Sequence, residues 1–118
     1  RKKTGELIHA ACIMSYSISN FFDSSVRDSI SKLAYLLGQL YQIIDDILDC
    51  TSSTEDLGKT SGKDQKNNKA TYVSIMGAAK SKKIKEKFYF EIKDLVKKIP
   101  GNTLTLNHLI DKIYTRDY

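Results

Sequence analysis

Tryptophan is missing from this 118-residue chain, proline occurs once and glycine six times. So few breakers exclude a turn-rich β architecture and leave room for long helices. The two cysteines, Cys12 and Cys50, make neither a CxxC pair nor a dense framework. That excludes a disulfide-stapled domain and a cysteine-type zinc site, and predicts reduced, buried thiols in an intracellular protein. No apolar run approaches the ~20 residues of a membrane-spanning helix. Acidic residues are in deficit, 14 against 19 Lys and Arg, which leaves a net charge of +5 and favours anionic partners.

Hydrophobic residues make up 41% of the chain, enough for one packed domain. Their spacing is helical throughout. Residues 4–18 carry Leu7, Ile8, Ala11, Met14 and Ile18 on one face. A break at 19–25 follows, with Asp23 or Ser24 available as a cap. Residues 25–50 hold one unbroken stripe, Val26, Ile30, Leu33, Leu37, Leu40, Ile44 and Ile47, in steps of four and three. Residues 51–68 are rich in Ser, Thr, Gly, Asn and Lys and read as a long functional loop. Helical spacing resumes over 70–79, then over 82–99 until Pro100-Gly101, and again over 105–115. No strand pattern and no repeat appears, so the expected fold is all-α. The chain opens on Arg1-Lys2-Lys3 rather than Met, which suggests a fragment or a processed product.

The stretch YQIIDDILD, residues 41–49, sets Asp45, Asp46 and Asp49 beside Gln42 within about a 100° arc of the long helix. Like charges at i and i+4, such as Asp45 and Asp49, destabilise a helix, and the C-terminal end of the dipole disfavours them further. A hard divalent cation such as Mg²⁺ would compensate, since it takes oxygen ligands and bridges to phosphate. A solvated acidic face is the competing reading. The following loop adds Lys59, Lys63 and Lys69 around Gly58 and Gly62, without the GxxxxGK[ST] of a Walker loop. Lys3-Thr4-Gly5 offers an ammonium, a hydroxyl and helix-end amides to an anion, or merely a helix cap.

In this order, KTGELIHAA (3–11), YQIIDDILD (41–49) and LGKTSGKDQKNNKATY (57–72) resemble the C-terminal half of trans-isoprenyl diphosphate synthases, the farnesyl and geranylgeranyl diphosphate synthases of the polyprenyl synthetase family. The resemblance runs over nearly the whole chain, to Arg116. It implies a helical bundle of the isoprenoid synthase type, of which residues 1–118 form the C-terminal part of a single domain. It implies an Mg²⁺-dependent transferase, with three Mg²⁺ per active site, that condenses an allylic diphosphate head-to-tail with isopentenyl diphosphate to a C15–C20 product. Asp45, Asp46 and Asp49 match the second aspartate-rich motif and its metal site, which Asp64 supports. Lys3, Thr4, Gln42 and Lys59 match catalytic positions, and Lys3, Lys59 and Lys69 match positions that bind the diphosphate. Tyr41 stands where many members have Phe.

The first aspartate-rich motif is absent, so the 118 residues alone are expected to be inactive. The resemblance implies a homodimer that binds no nucleic acid, in the bacterial cytoplasm or inside an organelle such as a plastid. Three other readings compete: a non-catalytic partner subunit of the same family, a basic module binding nucleic acid through 80–98, and a scaffold using the 25–50 stripe as a coiled-coil seam.

Overall fold

One helix sets the longest dimension of the molecule, 52 Å. The computed structural model describes residues 2–19, 23–55 and 72–117. Among them the regular structure is helical: α1 (Lys2–Ser17), α2 (Ser24–Glu55), α3 (Tyr72–Met76), α4 (Ala78–Val96) and α5 (Leu104–Tyr114). The all-α expectation holds.

Helix α2 has 32 residues, about 48 Å at 1.5 Å per residue. Its start is fixed by Asp23, whose Oδ1 accepts from the Ser25 amide at 2.8 Å, the Val26 amide at 3.3 Å and the Ser25 hydroxyl at 2.7 Å. These donors hold the Asp23 carboxyl below the usual carboxylate range, the Ser25 hydroxyl most strongly. Of the two caps the sequence allows, Asp23 is the one used. Tyr16 ties the end of α1 to the same point, donating to the Asp23 carbonyl and accepting from its amide, both at 3.0 Å. The helix continues to Glu55, five residues past the expected end. Residues 51–55 contain neither Gly nor Pro, and Ser and Thr cost only a few tenths of a kcal/mol each in a helix.

Val26, Leu33, Leu37, Leu40 and Ile44 of the expected stripe are buried and Ile30 and Ile47 partly so, but α2 hides more than a stripe. Leu36 and Ile43, both off it, are 7% and 0% exposed. Between Leu33 and Ile44 the helix is covered on several sides, so it is the centre of the fold rather than a surface helix. Helix α1 lies antiparallel against one side, with His9 Nε2 and Ser31 Oγ in a 2.8 Å hydrogen bond. Helices α4 and α5 cover the other, with Ile92, Leu95, Val96 and Ile110 in one cluster with Leu33, Leu37, Leu40 and Ile44. Truncating a fully enclosed member such as Leu40 to Ala would cost about 2–5 kcal/mol.

The expected helix over 70–79 is interrupted earlier than its pattern suggests. Gly77 sits at φ 83°, in the left-handed region. Its amide closes α3 by donating to the Val73 carbonyl at 2.8 Å. Its carbonyl opens α4, accepting from the Ser81 amide at 3.1 Å and the Ser81 hydroxyl at 2.9 Å.

Helices α4 and α5 are clasped by polar groups as well as by Ile92 and Ile110. Asp111 accepts from the Tyr89 hydroxyl at 2.7 Å and pairs with Lys93 at 2.8 Å, and Lys93 also donates to Asn107 at 2.9 Å. The Tyr89 and Tyr114 rings stack at 4.1 Å, with the Lys85 ammonium 4.6 Å from the Tyr114 centroid.

The thiols depart from expectation. Cys12 is partly buried, which pushes its thiol pKa up and makes it less reactive, whereas Cys50 is exposed.

Candidate functional site

The site is built where α1 crosses α2. An added Cβ on Gly38 would meet the Gly5 Cα at 2.9 Å, so the two backbones touch here. The space that Gly38 leaves open on α2 is thus filled by α1. Because the helices are antiparallel, this contact sets the first turn of α1, with the exposed Lys3 and Thr4, toward the Gln39–Gln42 turn of α2.

One turn farther along α2 lie the three carboxylates, and they face three environments. Asp46 is 2% exposed and accepts a 3.1 Å hydrogen bond from the Gln42 amide nitrogen. Asp45 is half-buried, with its side chain 41% exposed. Asp49, a turn later, is exposed. Asp45 and Asp49 are therefore the two acids a solvent-borne ion could reach, while Asp46 orients Gln42 from within.

Helix α2 carries no basic residue in its last turn, so its own sequence does not offset these charges or the dipole. The offset at Asp45 comes from just beyond the end of α5. Arg116, 71 residues away, donates from Nη2 to Asp45 Oδ1. The guanidinium lies over the Tyr41 ring, 4.3 Å from its centroid. Two features bring it there. Ile110 anchors α5 in the core at 0% exposure. Thr115 then ends the helix, its amide and hydroxyl both donating to the Asp111 carbonyl at 2.9 and 2.8 Å. The Arg116 Nε is buried without a hydrogen-bond partner among the described residues, which costs about 1–3 kcal/mol for a group of this kind.

Arg116 is the site residue that spacing does not reveal. A lone Arg beyond a short helix carries no local signal, and its partner is chosen by how α5 docks. Tyr41 gains a reason of its own in this arrangement, since its ring faces a cation.

Lys59, Lys63, Asp64 and Lys69 lie outside the described residues. Among the described residues no three His, Cys, Asp or Glu side chains converge as a metal site. What is present is an oxygen-only donor pair on one helix face, of which Asp45 meets the Arg116 guanidinium. That chemistry fits a hard divalent ion as part of a coordination shell, with the remaining ligands supplied from elsewhere.

Comparison with known proteins gives the lineage. The polyprenyl synthetase model matches residues 1–111. The chain is 38% identical over 115 residues to a farnesyl diphosphate synthase of Micrococcus luteus, covering 98% of this chain and 39% of that protein. It is 37% identical over 116 residues to a dimethylallyltranstransferase of Fischerella ambigua, covering 98% of this chain and 33% of that protein. It is 44% identical over 80 residues to the heterodimeric geranylgeranyl pyrophosphate synthase large subunit 2 of Arabidopsis thaliana, covering 68% and 21%. The chain thus spans well under half the length of the curated relatives it matches.

Proposed function

Since this chain belongs to the polyprenyl synthetase family, we propose that the complete protein is an Mg²⁺-dependent short-chain isoprenyl diphosphate synthase. It would join an allylic diphosphate head-to-tail to isopentenyl diphosphate and release a C15–C20 prenyl diphosphate. The observation that carries this reading is the pairing of a reachable Asp45 and Asp49 on α2 with the Lys3-Thr4 end of α1, fixed by the Gly5–Gly38 contact.

Each side chain has a distinct task. Asp45 and Asp49 would hold Mg²⁺, and the buried Asp46 fixes the Gln42 side chain through its hydrogen bond. When bound, the metal supplies positive charge to the departing diphosphate. Lys3, with Lys59 and Lys69 from the loop, binds the same diphosphate and stabilises the charge that grows on it. The Thr4 hydroxyl lies beside Lys3 and is assigned to the reacting carbons and the proton they lose. Asp64 is assigned to support the metal site. Apolar walls keep water from the allylic cation.

The remaining ligands and the isopentenyl diphosphate site belong to the part of the relatives' length that this chain does not cover. A homodimer in the cytoplasm or a plastid completes the proposal. Among the described residues no helix is long and apolar enough to cross a membrane.

The test is an assay of the complete protein with dimethylallyl and isopentenyl diphosphates and Mg²⁺, with products separated by chain length. Farnesyl or geranylgeranyl diphosphate is expected, and none from residues 1–118 alone. A complete, folded protein that makes no prenyl diphosphate would support the non-catalytic partner subunit instead.

A further inference from the structure

We propose that Arg116 is a built-in cation that occupies Asp45 when no divalent ion is bound and leaves it when one arrives. The inference rests on the proposed metal site. It makes the end of α5 a latch that reports metal loading.

Three observations carry it. Arg116 Nη2 bonds directly to Asp45 Oδ1, on the half-exposed carboxylate that an ion from solvent could reach. Among the described residues the guanidinium otherwise lies over the Tyr41 ring, and its Nε has no hydrogen-bond partner. A side chain already lacking one hydrogen bond gives up less on leaving. Finally, Arg116 stands two residues beyond α5, tied to it by a long 3.4 Å bond from its amide to the Ile113 carbonyl. A segment beyond a helix end, held to it by one long backbone bond, opens without unfolding the core. A guanidinium and a divalent ion cannot both claim this oxygen at close range, because like charges repel. Metal binding and latch closure are therefore linked. The apparent affinity of Asp45 for the ion is reduced by the fraction of molecules in which the latch is shut.

A permanent structural ion pair is the rival account, and metal titration separates the two. In the complete protein, Mn²⁺ binding is followed by electron paramagnetic resonance without any diphosphate. Hydrogen exchange of residues 113–117 is followed alongside. Arg116→Gln is expected to tighten Mn²⁺ binding about tenfold, the scale of one charge-assisted hydrogen bond at a partly exposed site. Wild-type tail amides should be protected without metal and exchange faster when it saturates. Asp45→Asn should expose them in both conditions, and adding Arg116→Gln to it should then change Mn²⁺ binding no further. Equal Mn²⁺ affinity in wild type and Arg116→Gln, with a tail indifferent to metal, would overturn the latch and leave the synthase reading intact. No Mn²⁺ uptake by either protein would overturn the latch, while the product assay alone decides the synthase reading.

Discussion

Gly38 and Gly5 meet backbone to backbone, yet the contact is one-sided. A Cβ on Gly38 would lie 2.9 Å from the Gly5 Cα, whereas a Cβ on Gly5 would meet nothing within 4 Å. Gly38→Ala should therefore push α1 away from α2, lower the melting temperature and displace Lys3 and Thr4, with loss of activity. Gly5→Ala should leave stability unchanged or raise it by up to about 1 kcal/mol, the difference in helix propensity. Thermal unfolding of the complete protein checks both. Equal destabilisation by the two substitutions would contradict the packing described.

The acids of α2 should separate in the same protein. Asp45→Asn removes a reachable oxygen donor and should lower kcat about a hundredfold or more, the scale of losing one group that stabilises developing charge. Asp46→Asn acts through Gln42 and should cost about tenfold, as supporting contacts to metal ligands do. Mg²⁺ titration of the rate distinguishes them, since the required concentration should rise most for Asp45→Asn. If Asp46→Asn proved the more damaging, buried Asp46 would have to be the primary ligand.

The α4–α5 clasp sets a pH window. Lys93 first, then the Tyr89 hydroxyl, hold the Asp111 carboxyl below its ordinary range. A carboxylate with a lowered folded pKa stabilises the protein above its unfolded value, and that contribution disappears as pH falls below about 4. The hydrogen bond to Asp111 raises the Tyr89 pKa. Its contribution is full below the unfolded value and is lost as pH climbs past about 10. Tyr89→Phe should remove the alkaline limb of the stability profile and leave most of the acid limb, because Lys93 remains on Asp111. Urea unfolding at a series of pH values is the measurement, and an unchanged alkaline limb would refute the assignment.

Gly77 offers a backbone test free of clashes. Its φ is 83° and a Cβ there would meet nothing within 4 Å. Gly77→Ala should still destabilise, by about 1–2 kcal/mol, through the left-handed conformation alone. Gly77→Asn should cost less, because Asn tolerates that region. Chemical denaturation orders the three proteins.

Much of this molecule is legible in its letters. The steps of four and three from Val26 to Ile47 dictate a long buried helix, because only α periodicity puts those side chains on one face. Helix α4 closes at Val96, three residues before the end expected at Ile99, and Pro100-Gly101 follow it. The second acidic motif, the Lys-Thr pair and the lysine-rich stretch at 57–72 carry the family resemblance. The misplaced boundaries have plain causes. Residues 51–55 lack a breaker even though they are polar, and Gly77 stops a pattern whose apolar spacing runs straight through it.

Chain order alone determined the helices and the identity of the acids, because both follow from contacts within a few turns. Three-dimensional packing decided which acid faces inward and which faces solvent, since that depends on what covers each side of α2. It also decided that Arg116 answers Asp45 across 71 residues. A charge pair between distant helices is set by how those helices dock, and docking is governed by Ile110, Leu40 and the Gly5–Gly38 contact rather than by the two ions themselves.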